Sequence, residues 1–294
     1  MKLTRMDLDM TGSPLGLITK ILAAEPELPI PTPIELLASN LDIVEIADLT
    51  SEGFEGGLIT QPERTNGIIL VNKFSHPFRR RFTIGHELGH FLLPTHQPIA
   101  DEKFLCSRED MAKWDVRSQD RYMRMESEAN QFSALLLILP PRLRAFLKSF
   151  KDPDIADILT IAENFEVSKE AAARSYVEYH DDYLAVAIVK DGKILRTYKR
   201  RDFPFITATN GAPIPSGSNF KNYAGQSTEM KECHADVWID KQGASLYEQI
   251  HMQRDGYALV LLWAELLDEA DETDIEENQT SSERYKNRIS KWQR

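Results

Sequence analysis

The chain has 294 residues, of which 42% are hydrophobic and 28% are charged, and its formal net charge is −11 at pH 7. This length favours two domains, with one large domain as the alternative. The acidic balance argues against a protein that coats nucleic acid or an anionic membrane. The two cysteines, Cys106 and Cys233, cannot form a disulfide framework. Since the sequence has neither a secretory signal nor an apolar run of membrane-spanning length, we expect a cytoplasmic protein without membrane partners.

Hydrophobic spacing predicts the elements of the first half of the chain. A proline-rich lead-in is followed by a short helix over PIELLASNL and by three strands, LDIVEIADL, GGLIT and NGIILVNK. A longer helix is expected to begin with Ser75 as its N-cap and to run until Pro94 stops it. We predict a loop with short helical pieces over residues 95–119, and then a second strong helix, RYMRMESEANQFSALLLIL.

The second half has a different pattern. The segment 154–179 predicts two helices, the second capped by Ser168, in a helix-turn-helix-like arrangement. Because residues 151–179 hold seven acidic and three basic side chains, we interpret this segment as a structural connector rather than a DNA reader. A hairpin is expected at 190–193, with later strands over CHADVWI and GYALVLLWAEL. The acidic run that follows predicts a solvated tail.

The stretch FTIGHELGHFLLP places His86 and His90 four residues apart, with Glu87 directly after the first histidine. On a helix, residues four apart share a face at about 5–6 Å, so both imidazoles can reach one ion. Catalytic zinc sites use three protein ligands and a water. Glu87 could take a proton from that water as general base. Gly89 has no side chain, so a substrate backbone could approach the helix at this position. An ordinary buried helix is disfavoured, since an unligated glutamate among apolar neighbours is costly.

The second helix offers the third ligand. In MRMESEANQF, Glu126 and Asn130 are four apart on a face with small side chains that would let two helices approach closely. We favour Glu126 over Glu128 on this helical-face argument, and Glu128 stays open as the alternative. Asn130 could orient a ligand histidine. His76 and His96 flank the motif but lack the helical register for ligation, and in the basic run 79–81 one arginine could support the site.

The two motifs, TIGHELGHFLLP followed by ESEANQFSALLLILP, together resemble the ImmA/IrrE family of zinc metallopeptidases. That family usually has a HELGH helix and then an E-x-E-A-N-x-F-A-x-x-L-L-x-P helix. The resemblance covers roughly residues 30–141. This chain differs in having Ser133 where alanine is usual, and in Ile138-Leu139, which delays the proline by one residue. Neither difference falls on a ligand position.

The resemblance implies a minimal zincin fold in which His86, His90 and Glu126 bind Zn²⁺, with Mn²⁺ as the alternative metal, and Glu87 is the catalytic base. Family members typically act beside a helix-turn-helix repressor, which they cleave or inactivate to switch on stress, DNA-damage or mobile-element genes. We therefore expect a gluzincin-like zinc endopeptidase whose substrate is a helix-turn-helix transcriptional repressor, with no direct contact to nucleic acid. The alternative is a non-proteolytic zinc-binding regulator that inactivates a repressor or toxin by binding.

Taken together, the patterns predict an α+β chain in five parts. They are an N-terminal lead-in (1–30), a zincin-like metallopeptidase domain with a small sheet and active-site helices (31–141), a helical connector (142–181), a C-terminal mixed α/β domain (182–267) and an acidic tail (268–294).

Overall fold

The computed structural model describes residues 1–50, 53–97, 103–107, 120–222, 227–241 and 243–266. Within those residues it contains eight α-helices and two β-sheets, which confirms the expected α+β class. The chain divides into two compact units, one made of Met1–Asp152 and Ala156–Tyr179, and one made of Pro153–Ile155 and the residues from His180 onward. The five-part division stays a prediction, and the expected acidic tail lies outside the described residues. No described helix is long and apolar enough to cross a membrane.

The first unit is built from helices and one four-stranded sheet. The helices are α1 (Arg5–Leu8), α2 (Pro14–Ala24), α3 (Ile34–Asn40), α4 (Pro77–Leu92), α5 (Arg121–Leu137), α6 (Pro140–Leu147), α7 (Ile155–Asn164) and α8 (Lys169–Tyr179). The strands are β1 (Ile43–Leu49), β2 (Phe54–Thr60), β3 (Gly67–Asn72) and β4 (Lys103–Ser107), in the order β1-β3-β2-β4. The central strand β3 runs parallel to β1 and antiparallel to β2.

Helix α4 packs against one face of the four-stranded sheet. Alternate residues of β3, Ile69 and Val71, are fully buried, and Leu58 of β2 pairs with Ile69 and is buried as well. This alternation is typical of a sheet with one covered face. Helix α4 packs against both β2 and β3. The strands predicted before the HELGH helix therefore position that helix.

Helices α4 and α5 pack closely because two glycines of α4 face α5. A Cβ atom on Gly89 would lie 3.1 Å from Phe132 Cδ1 and 3.2 Å from Ala129 Cα. A Cβ atom on Gly85 would lie 2.5 Å from Ser133 Oγ. The close approach expected from the small residues of α5 is thus confirmed. The interpretation of Gly89 as an opening for substrate is wrong, because this position faces α5.

Two expectations near α4 need correction. The helix begins at Pro77 with His76 as its N-cap, because the His76 ring nitrogen Nδ1 accepts a hydrogen bond from the Phe78 backbone N–H at 3.3 Å, so the predicted cap Ser75 lies outside the helix. The stretch predicted as loop and short helices contains a strand, β4, which pairs with β2. Residues 98–102 and 108–119 of that stretch lie outside the described part of the chain.

Three helices of the first unit were not predicted. The lead-in contains α1 and α2, and α2 buries Leu17, Ile18 and Ile21 while packing against α5. Ser13 caps α2 by accepting a hydrogen bond from the Gly16 backbone N–H at 3.2 Å, so a start signal was present in the sequence. The pair of prolines that ends α5 also begins α6, with Pro140 in its first turn.

The predicted helix pair α7 and α8 is confirmed. Ser168 caps α8 by accepting a hydrogen bond from the Ala171 backbone N–H at 3.1 Å. Between the helices, Glu166 has a positive φ of 51°, which is consistent with a tight turn. The fully buried Tyr176 of α8 donates a hydrogen bond to Asp157 of α7 at 3.0 Å. This hydrogen bond joins the two helices across the turn.

The second unit is an antiparallel sheet of five strands. They are β5 (Tyr183–Lys190), β6 (Lys193–Lys199), β7 (Lys231–Cys233), β8 (Ser245–Met252) and β9 (Tyr257–Glu265), in the order β6-β5-β9-β8-β7. The predicted hairpin joins β5 to β6 through Asp191 and Gly192, which both have positive φ. The strand expected over CHADVWI is only partly formed, because β7 ends at Cys233 and a 3₁₀ turn follows. Strand β8 was not predicted.

The contact between Gly85 and Ser133 leads to a stability prediction. Gly85→Ala should destabilise the protein by about 1–3 kcal/mol through overpacking, although alanine is the better helix former. The added methyl group collides mainly with Ser133 Oγ, so the cost should be smaller in a Ser133→Ala background. Urea unfolding of the two single variants and the double variant measures this coupling.

Gly12→Ala is the matched control, since a Cβ atom there would meet nothing within 4 Å. This variant should unfold at the wild-type urea concentration or slightly above it. Strictly additive effects of Gly85→Ala and Ser133→Ala would show that these helices do not touch at this point.

Candidate metal centre

Three side chains from α4 and α5 converge on one point. Among the described residues, His86, His90 and Glu126 form a group whose ligand atoms all lie within 4.8 Å of one another, and all three are buried. The histidines come from successive turns of α4, and Glu126 comes from the face of α5 that packs against it. We call this group the ligand triad. The structure thus brings together the three residues that the sequence singled out as ligands.

The distances within the ligand triad fit a metal ion of the size of zinc. The two Nε2 atoms of His86 and His90 are 3.1 Å apart, and each lies 3.4 Å from a carboxylate oxygen of Glu126. Ligands held roughly 2.0–2.1 Å from one zinc ion in a tetrahedral arrangement are about 3.3 Å apart. The distance between the two Nε2 atoms, and the distance from each of them to one of the two Glu126 oxygens, are therefore close to those between zinc ligands.

Protonation states in the ligand triad also suit a cation. Burial, helped by the neighbouring His86, lowers the pKa of His90 to about 3, so its ring is neutral at pH 7. Burial alone would raise the pKa of Glu126, but the adjacent rings of His86 and His90 outweigh this and leave the pKa well below its ordinary value. Neutral imidazole and ionised carboxylate are the forms that bind metals.

Asn130 lies behind the first ligand histidine, as the helical spacing of α5 suggested. Its side-chain oxygen Oδ1 is 2.9 Å from His86 Nδ1. If this nitrogen donates the hydrogen bond, His86 Nε2 carries the lone pair that faces the other two ligands. Asn130 therefore supports the orientation of His86 without touching the ligand position itself.

Glu128, the alternative third ligand, makes a different contact. Its Oε2 atom is 3.0 Å from His96 Nε2, and the other ring nitrogen of His96 is 2.9 Å from His90 Nδ1. Burial lowers the pKa of His96, against the opposing effect of Glu128, so this ring is neutral as well. His96 was not predicted as a ligand because it lacks the helical register of His86 and His90. Its contact with the ligand His90 was not predicted either.

Arg64 forms hydrogen bonds with backbone carbonyl groups at the C-terminal end of α4, where His90 lies. Its Nη1 atom donates to the backbone oxygens of His90, Phe91 and Leu93 at 3.2, 3.1 and 2.7 Å. The last carbonyls of an α-helix lack intrahelical N–H partners, and a cation at a helix C-terminus is favourable. Arg64 has a positive φ of 51° in the turn between β2 and β3, a feature that the sequence pattern does not reveal.

Two arginines of the basic run at the start of α4 form ion pairs and hydrogen bonds within the first unit. Arg81 donates to the backbone oxygen of Thr32 at 2.8 Å and pairs with Glu166 at 3.2 Å. Arg80 pairs with Asp48 at 3.1 Å. Arg81 thus joins α4 to two other parts of the first unit, and the support of the site by one arginine stays a prediction.

Glu87, which follows His86 in the chain, lies on the side of α4 that faces strand β2. Its side chain is fully buried, and a Cβ atom on Gly56 would lie 2.9 Å from its Oε1 atom and 2.3 Å from Thr83 Cγ2. Glycine at position 56 therefore gives α4 and its glutamate room against the sheet. A buried carboxylate needs compensation, and a divalent cation in the neighbouring triad would supply part of it.

The part of the chain that contains this arrangement is similar to a known protein family. The family model for the IrrE N-terminal-like domain, peptidase family M78, matches residues 44–175. This range contains the ligand triad, Glu87, His96 and Glu128. Residues 44–175 of the chain are therefore similar to the ImmA/IrrE family. The family resemblance drawn from the two helix motifs is confirmed.

Individual relatives are more distant. The radiation response metalloprotease IrrE of Deinococcus radiodurans is 27% identical over 128 residues, which are 44% of this chain and 36% of that protein. The match thus spans about a third of the relative's length. A solved structure, a Mycobacterium tuberculosis transcriptional regulator, aligns with 87% of this chain and 72% of its own at 14% identity and a TM-score of 0.47.

Loss of a ligand should remove the metal. His90→Ala leaves two donors, which hold an ion poorly, so the protein should no longer retain one equivalent of zinc after gel filtration. Glu126→Gln removes a charged ligand and should weaken zinc binding far more than Glu128→Gln, which keeps an acceptor for His96. Elemental analysis and chelator competition measure both effects.

His234→Ala serves as the control, because His234 is exposed and belongs to the second unit. It should retain zinc like the wild type. Full metal content in His90→Ala would place the site elsewhere in the chain.

Proposed function

We propose that this protein is a zinc-dependent endopeptidase that cleaves a helix-turn-helix transcriptional repressor in the cytoplasm. One observation carries the proposal: three buried metal-binding side chains converge on one point, and a buried glutamate, Glu87, directly follows the first of them in the chain. The similarity of residues 44–175 to the IrrE N-terminal-like peptidase model, and to the metalloprotease IrrE, supports peptide hydrolysis as the reaction. The repressor as substrate rests on the usual targets of the ImmA/IrrE family.

The number of ligands favours a catalytic site over a structural one. Structural zinc sites commonly have four protein ligands, whereas catalytic sites have three and leave one position for water or substrate. In the part of the chain that the structure describes, the group suited to a metal has three members. Glu128, the other glutamate of the ESEAN motif, lies 3.0 Å from His96. This count supports the peptidase over the non-proteolytic regulator.

The roles of the chain's own residues follow from their positions. A divalent metal in the triad would supply a Lewis acid that polarises a peptide carbonyl and makes water a better nucleophile. His86, His90 and Glu126 would hold it, and Asn130 would keep His86 oriented. Glu87 would accept the proton of the attacking water and deliver it to the leaving amine.

The packing around Glu87 suits this proton transfer. The close contact of α4 with β2 at Gly56 restricts where the Glu87 carboxylate can lie. A carboxylate that is held in place loses little freedom when the reaction begins, which is how a positioned base contributes to rate. The buried surroundings also strengthen its interaction with charge that develops nearby.

Glu87→Gln separates the reaction from binding. The substitution preserves size and hydrogen-bonding shape but removes basicity, so the variant should fold, retain one equivalent of zinc and bind its partner. Cleavage of the repressor should fall by about 10²–10⁴-fold, the contribution typical of general acid–base catalysis. The assay incubates the purified, zinc-loaded protein with the helix-turn-helix protein encoded beside it and follows the fragments by mass spectrometry.

Glu45→Gln is the matched control, because Glu45 is exposed on β1 and this change also replaces one carboxylate by an amide. It should cleave at the wild-type rate. A Glu87→Gln protein that cleaves nothing, yet still induces the repressed genes in cells as the wild type does, would rule out proteolysis as the mechanism. The non-proteolytic regulator would then be the correct interpretation.

A further inference from the structure

A row of hydrogen-bonded groups leads away from the ligand triad through His90. His90 Nδ1 lies 2.9 Å from His96 Nδ1, and His96 Nε2 lies 3.0 Å from Glu128 Oε2. Both rings are fully buried, and the Glu128 side chain is 20% exposed at the outer end of the row. His96 lies beyond the end of α4, and Glu128 is on α5. The row therefore joins the two site helices on the far side of His90 from Glu126.

The order of donors and acceptors in this row follows from chemistry. An ionised carboxylate only accepts hydrogen bonds, so His96 Nε2–H donates to Glu128. A neutral imidazole has a single N–H, which leaves His96 Nδ1 as an acceptor. The donor to it is then His90 Nδ1–H. His90 consequently has its lone pair on Nε2, the atom that faces His86 and Glu126.

We propose that His96 and Glu128 are a positioning pair that fixes the tautomer and ring orientation of His90, so that its Nε2 lone pair is ready to bind metal. The inference deepens the proposed function and rests on its metal site. Partners of this kind raise ligand basicity and fix ring orientation in metal sites generally. Here the carboxylate acts through an intervening histidine rather than directly.

The alternative tautomer shows why such a pair matters. Without an acceptor next to Nδ1, His90 could carry its proton on Nε2 and donate it to the Glu126 oxygen that lies 3.4 Å away. That proton would occupy the direction a metal needs and would have to leave or move before binding. The positioning pair disfavours this state. It also gives Glu128, the second glutamate of the ESEAN motif, a role that does not require ligation.

The two ligand histidines are oriented by different kinds of group. His86 Nδ1 meets the amide oxygen of Asn130 at 2.9 Å, a contact to a neutral acceptor on the same helix as Glu126. His90 Nδ1 meets a ring that is itself bound to a carboxylate. The charged end of the row should make the His90 orientation the stronger of the two.

Zinc affinity of the full chain tests the positioning pair. His96→Leu removes the acceptor for His90, and the dissociation constant for Zn²⁺, measured by chelator competition, should rise about 10–100-fold. His96→Asn puts an amide oxygen near the position of Nδ1 and should recover much of the affinity. Glu128→Ala should weaken binding in the same direction, and combining it with His96→Leu should add little, because both act through one row.

Gln97→Ala is the control for the segment that carries His96. Gln97 is exposed and accepts a hydrogen bond from Arg121 at 2.9 Å, so its loss disturbs the neighbouring surface without touching the row. Its zinc affinity should equal that of the wild type. Thermal unfolding of the metal-free variants checks that each is folded before affinities are compared.

The tautomer itself can be read without metal or substrate. In metal-free protein with ¹⁵N-labelled histidine, the His90 ring, assigned from a His90→Asn sample, should show a protonated Nδ1 and an unprotonated Nε2. In His96→Leu the two forms should mix, and in His96→Asn the wild-type pattern should return. Because this readout needs no metal, it is independent of the proposed peptidase function.

The outcomes separate the two proposals. A wild type that binds no zinc but shows the expected His90 tautomer, altered by His96→Leu, would overturn the proposed function and leave the positioning pair standing. Wild-type affinity and an unchanged tautomer in His96→Leu would overturn the positioning pair. If folded His96→Asn weakens zinc as much as His96→Leu and leaves the tautomers mixed, restoring the acceptor has failed and the pair is likewise overturned.

Discussion

The close contact of α4 with α5 is the constraint on which the metal centre depends. Two ligands lie on one helix and the third lies on the other, so the spacing of the donors is set by the distance between the two backbones. Gly85 and Gly89 remove side chains where α5 would otherwise be held away, and Ala129 leaves its backbone accessible. The distance between the axes of packed helices, about 8–10 Å, depends on the side chains at the contact. Here the small residues at the contact allow the Glu126 carboxylate to reach both imidazoles.

A second constraint is the burial of polar groups around that contact. His86, Glu87, His90, His96, Glu126 and Asn130 are all buried polar side chains in one region of the first unit. Such a concentration is expensive unless the groups satisfy one another, because buried polar networks are costly when they are incomplete. The hydrogen bonds from His86 to Asn130 and from His90 through His96 to Glu128 meet much of this cost. They also direct the remaining lone pairs towards one point, and so the same contacts serve stability and metal binding.

The part of the site that the sequence predicted is the part that depends on helical spacing. Residues four apart share a face in any α-helix, so the spacing alone pairs His86 with His90, and Glu126 with Asn130. The role of His96 could not be predicted in this way, since it follows Pro94 in a non-helical turn and meets Glu128 only through tertiary packing. The same reason explains Arg64, which reaches the end of α4 from a distant turn.

Elements of the fold could likewise be predicted where their local hydrophobic spacing is regular, and not where they depend on tertiary contacts. Strong periodic segments such as α4, α5 and β9 were predicted, whereas β4 lies in a polar stretch whose strand character comes from pairing with β2. Helix α2 was missed although Ser13 and Pro14 are ordinary start signals, because its short apolar set, Leu17, Ile18 and Ile21, lies within a segment interpreted as a lead-in.

The central claim is that two imidazoles and one carboxylate from α4 and α5 form a single metal centre. Zinc K-edge X-ray absorption on the zinc-loaded full chain tests it most directly. The account predicts a first shell of nitrogen and oxygen atoms at about 2.0–2.1 Å, with the outer-shell scattering of two imidazole rings and no sulfur. A zinc–sulfur distance of about 2.3 Å, or scattering from fewer than two imidazoles, would contradict it.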